Sequence, residues 1–155
     1  MYFLFSQLKR PIADWFSEKI PVKAVGIFLI IIACVFYVLW LSEIIPATIA
    51  NTPPQNIIDT GLPTNPVHAL DLSIILPGFA IIAVLLLRRK PIGLLLAPNA
   101  LAFMILMDIT IGALNIIMER RGIETSYAVT IVMAILALVS IGLLTLYLRS
   151  VKRGM

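Results

Sequence analysis

The chain has 155 residues, 61% of them hydrophobic and 13% charged, with a formal net charge of +4. A soluble domain is typically about half apolar, and here the excess is gathered into runs of roughly 20 residues, the length that crosses a bilayer. A soluble globule is therefore excluded. So is a nucleic-acid binder, because the basic residues stand at the ends of the apolar runs and leave no basic, aromatic-bearing face for bases.

Residues 1–23 form a basic, partly aromatic preface. Ile12, Trp15, Phe16 and Ile20 fall near helical spacing, with Lys9, Arg10, Asp14, Glu18 and Lys19 between them. That pattern predicts a short amphipathic helix on the membrane surface.

The membrane domain covers 24–148. Its first span runs from about 24 to 45, with Pro46 expected to end it. This run is too long for a secretory signal core, so it reads as a retained anchor. It holds Cys34, the single cysteine, which excludes an internal disulfide and any C-x-x-C redox pair. A quinone-coupled thiol reductase is thereby excluded too. Glu43 lies in the last turn of the span.

The loop from Ala47 to Thr64 is polar and proline-rich. Thr52-Pro53-Pro54-Gln55 resembles a capping box and Gly61 a helix stop, which predicts a short interfacial helix. The second span runs from 66 to 87. Asn65 is a good N-cap and Pro66 suits the first helical position. His68 and Asp71 are then three apart on one face. Pro77-Gly78 should kink the span in its middle, and Arg88-Arg89-Lys90 ends it.

The third span, about 92 to 118, contains Asn99, Asp108 and Asn115. It is about 40 Å long as a straight helix, so tilt or a break at Pro98 is expected. Asp108, Gly112, Asn115 and Glu119 share one stripe, with Asn99 on the opposite face. The loop 119–126 is short and makes the third and fourth spans antiparallel neighbours. The fourth span, 127 to 148, carries Tyr127 and Tyr147 about 30 Å apart, the separation of the two aromatic belts. Thr130, Ala134 and Ala137 form a small-residue stripe suited to close packing. Residues 149–155 are a basic tail.

Four spans put ten of the twelve Lys and Arg residues on one side, with only Arg120 and Arg121 on the other. Both termini are therefore expected in the cytoplasm. The expected fold is an all-α, multi-pass four-helix bundle of the cell membrane. The Arg88, Arg89 and Lys90 cluster reads as a topology signal with some contact to anionic lipids at the cytoplasmic face.

In this topology Glu43, His68, Asp71 and Asp108 share the outer half of the membrane. Charge is costly there and calls for a partner, a proton or a function. The expectation is an outward-facing polar cavity between the first three helices, with Asn115 added from the third. It would bind a cation, a proton or a small polar ligand. No cofactor is expected. A divalent cation is possible, with Glu43, His68 and Asp71 as candidate ligands, and this set suits a hard ion better than a thiol-loving one. With one His in the chain, a three-His zinc centre cannot be built. Two alternatives stand beside this reading. One is a metal-dependent membrane enzyme acting on a lipid or isoprenoid. The other is a purely structural subunit of a membrane complex, whose polar groups are scattered or satisfy one another in pairs, with no cavity. On the leading reading too, the protein is expected to sit in a homo-oligomer or larger membrane complex.

Trp40-Leu41-Ser42-Glu43, the stretch from Gly61 to His68, Leu70-Asp71-Leu72 and the Arg88–Gly93 turn carry a resemblance. Over about residues 25 to 100 the chain resembles a group of uncharacterised prokaryotic four-helix membrane proteins. The resemblance implies four spans and an integral membrane location, and it brings no activity with it.

Overall fold

The computed structural model describes Phe16 and residues 19–53, 57–58, 65–122 and 126–151. Four helices account for nearly all of them: α1 (Val22–Ile49), α2 (Pro66–Leu87), α3 (Pro91–Arg120) and α4 (Tyr127–Arg149). Each is long and apolar enough to cross a bilayer. Packing follows chain order: α1 on α2, α2 on α3, α3 on α4. The fold is an all-α four-helix membrane bundle.

The three prolines within the spans behave differently from one another. Pro46 does not end α1, which continues to Ile49. A proline removes one N–H and crowds the carbonyl four residues back, here that of Ser42. Near a helix end that loss is small, and the chain instead stops at Asn51, whose φ is +50°. Pro98 lies inside an unbroken α3, so of the tilt or break expected there the break does not occur. Just before Pro77, where a kink is expected, the helix makes a π-helical turn over Asp71–Ile75. A wider turn gives the proline ring room that an α-turn denies it.

The preface is described only at Phe16 and from Lys19 onward. Phe16 pairs with Val151 in an isolated antiparallel bridge, and Lys19 and Ile20 lie in a turn, so no helix runs through these positions. The rest of the expected surface helix lies outside the described residues. Of the expected interfacial helix, Thr52 and Pro53 are described and lie outside any helix, Ile57 and Ile58 are helical, and the rest falls outside the described residues.

The Phe16–Val151 bridge brings the first and last described residues together at one end of the bundle, and the solid core lies there. Val25 and Leu29 of α1, Ala83 and Leu86 of α2, and Ala97 and Leu101 of α3 are all buried in it. Tyr147 of α4 donates a 2.6 Å hydrogen bond to the Leu94 carbonyl and meets Phe16 edge to face. The opposite half is different. α1 buries nothing after Ala33, α3 nothing after Asp108, and α4 nothing before Met133. Exposed apolar residues such as Ile49, Leu114 and Ile131 give lipid a surface to cover. Far from the terminal end the helices thus bury fewer apolar residues, and polar side chains lie between them there.

Candidate functional site

Asn65 begins α2. Its Oδ1 accepts the backbone N–H of Val67 at 3.0 Å and of His68 at 3.4 Å, with Pro66 at the first position. This cap aims His68 inward, where it is only 5% exposed. Its Nε2 stands 3.5 Å from Glu43 Oε2 on α1. The imidazole also lies against the Trp40 indole, with ring centroids 4.3 Å apart. One helical turn further along α2, Asp71 Oδ2 accepts the Trp40 indole N–H at 2.9 Å.

The ladder has a third rung. The Tyr37 hydroxyl donates to the Leu72 carbonyl at 3.3 Å. That carbonyl lies in the π-turn, where Leu76 N–H reaches back to Asp71. The next residue, Pro77, has no N–H to give. The π-turn thus leaves the Leu72 carbonyl short of a backbone donor, and Tyr37 supplies one. Tyr37, Trp40 and Glu43 are spaced three apart on α1, so they form one face. They meet Leu72, Asp71 and His68 on the antiparallel α2.

Asp71 also faces the other way, into a cleft of about 40 Å³ between α1, α2 and α3. That volume holds a few waters at most. Asp108 lies in the same cleft. It is 3% exposed, and its Oδ2 has no hydrogen-bond partner. Around the two carboxyls the lining is aromatic and aliphatic, including Phe36, Phe79, Phe103 and Met104, and no basic side chain is among the described residues there. Phe79 and Phe103 meet edge to face at 6.2 Å.

Glu43 and His68 are therefore paired between α1 and α2, while Asp71, one turn from His68, and Asp108 both line the cleft among the first three helices. Asn115 is not with them. Its amide donates to the Ser126 carbonyl at 2.9 Å and to Thr130 Oγ1 at 2.7 Å, tying α3 to α4. Glu119, further along the same stripe, accepts the Tyr127 hydroxyl. The stripe exists, but only its Asp108 end opens into the cleft. Asn99 bonds back to the Leu95 carbonyl of its own helix. Glu43, His68 and Asp71 also do not converge as a ligand set. Asp71 is turned to Trp40, and among the described residues no three His, Cys, Asp or Glu side chains group as a metal site.

Trp40 and Tyr37 are the site residues that composition and charge did not single out. Their spacing of three and six residues before Glu43 carries the only signal. At the terminal end, Lys23 and Arg89 border a groove of about 430 Å³, and Arg88 and Lys90 stand exposed beside it.

Comparison with family models, with curated proteins and with solved structures found no match for this chain. The fold and the site define its class: a small multi-pass membrane protein with two carboxyls in a cleft among its first three helices.

Proposed function

We propose that the protein binds a proton, a cation or a small polar ligand in the Asp71–Asp108 cleft, which opens to the outside of the cell membrane. The observation that carries this is Asp108. A carboxylate placed among hydrocarbon without a partner is costly, and evolution of a mere structural bundle would be expected to replace it or pair it. The orientation rests on the sequence bias of Lys and Arg, ten of twelve falling on the side of the termini in a four-span topology, which favours that side in the cytoplasm. The groove beside Lys23 and Arg89 then faces the inner leaflet and suits anionic lipid headgroups.

A second reading has a specific observation in its favour. Glu43 pairs with His68, and Asp71 with Trp40, so three of the four groups are satisfied pairwise, as in a structural subunit of an oligomer or larger complex. Asp108 decides between the two.

Infrared difference spectra of the protein in nanodiscs, recorded between acid and alkaline pH, test this. A carboxyl stretching band that titrates in the wild type and vanishes in Asp108→Asn is expected. A spectrum indifferent to that substitution would sink the proposal.

A further inference from the structure

We propose that the cleft between α1, α2 and α3 takes the ammonium head of a small organic amine, whose apolar part lies among Phe36, Phe79 and Phe103. This rests on Asp108 being a binding group, and goes further by naming what it binds.

The acceptors come first. Asp108 Oδ2 is unpartnered in a side chain almost fully out of solvent. Asp71 has one oxygen taken by the Trp40 indole N–H, and its carboxyl lines the same cleft. Two carboxyl groups thus face one small space, and no cationic side chain among the described residues lines it. A cation from outside the chain supplies the missing charge.

The rest of the lining says which kind. Apart from the two carboxyls, every lining side chain is aliphatic, aromatic or a methionine. A hard metal ion wants about six or more oxygens around it, and two carboxyls in a hydrocarbon wall do not provide them. An alkylammonium has at most three N–H groups to satisfy. It also gains from aromatic faces within about 6 Å. The space, about 40 Å³, fits a compact cationic head and no large ring system. Phe103 at the rim is 37% exposed, so an alkyl tail has a path from the cleft into lipid. His68, the nearest basic group described, is held by Glu43 and Trp40 and does not line the cleft.

Trp40 is a built-in reporter, because its N–H is bonded to Asp71. The chain has two tryptophans, so Trp15→Phe leaves Trp40 as the sole emitter. The full-length protein in detergent is titrated with n-butylammonium chloride, with n-butanol and sodium chloride as controls. A saturable change in Trp40 emission with the amine alone is expected. Asp108→Asn should weaken it by about tenfold or more, the loss of a charge-assisted hydrogen bond. Phe36→Leu, which keeps the cleft apolar, should weaken it roughly three- to tenfold through the lost aromatic face. No response to the amine, an equal response to sodium or butanol, or full retention in Asp108→Asn would overturn the proposal. If Trp40 ignores the amine while the Asp108 carboxyl band still titrates, the cleft is a proton site and only this proposal falls. If the carboxyl band is silent as well, both fall.

Discussion

Asp108→Leu is expected to raise the melting temperature of the purified protein, not lower it. Leucine keeps the same branched shape, is larger by its two methyl groups where the cleft has room, and removes a buried polar atom that has no partner. Relieving such a desolvation penalty contributes about 1–3 kcal/mol, a large share of the stability of a small domain. The same substitution should abolish every ligand or proton response. Ser140→Ala separates the two effects. The Ser140 hydroxyl is fully buried on α4 and also lacks a partner, but it does not line the cleft. Its removal should stabilise the protein modestly and leave ligand responses intact. Differential scanning fluorimetry in one detergent compares all three. A melting temperature lowered by Asp108→Leu would mean that the carboxyl holds helices together, as expected of a structural subunit.

Gly93→Val should be the most disruptive single change in the bundle. Gly93 sits in the first turn of α3, where the chain has just reversed from α2 through Arg89, whose φ is +49°. A Cβ at Gly93 would fall on the backbone of Leu85 and Leu86. Backbone cannot swing aside as a side chain tip can, so α2 and α3 must separate at their joint. Overpacking commonly costs about 1–3 kcal/mol, and a clash with main chain should reach or exceed the top of that range. Gly142→Ala is the control, because nothing lies within 4 Å of the added carbon. Size-exclusion chromatography after solubilisation should give a sharp peak for Gly142→Ala and aggregate for Gly93→Val. A well-behaved Gly93→Val protein would show that the α2–α3 joint is looser than described.

These expectations draw on features of very different visibility in the sequence. The spans were legible because long apolar runs have only one stable solution in a bilayer, the helix. Their ends were less so. Pro46 looked terminal, yet a proline near a helix end costs little there. The approach of Glu43 to His68, and of Asp71 and Asp108 to one cleft, is what depth and topology alone suggest. Asn115 shows the limit of that reasoning. Periodicity put it correctly on the stripe of Asp108, but which neighbour meets each level of a stripe depends on tertiary packing, and at that level it is α4. The π-turn was not legible as such. It arises from Pro77 acting together with a hydroxyl, Tyr37, forty residues earlier in the chain. The unpartnered state of Asp108 Oδ2 could not be read from sequence either, because an Asp in a span is as consistent with a satisfied bond as with an open one.

Chemical labelling from one side of the membrane addresses the outward cleft most directly. In a Cys34→Ala background, Asp108→Cys and Leu106→Cys are compared in intact cells with a membrane-impermeant thiol reagent. Leu106 is 65% exposed on the lipid-facing surface of α3, two residues from Asp108. A cleft open to the outside requires that Asp108→Cys be labelled by reagent added externally while Leu106→Cys is not. Labelling of Asp108→Cys only from the cytoplasmic side, or equal protection at both positions, would contradict an outward-facing site.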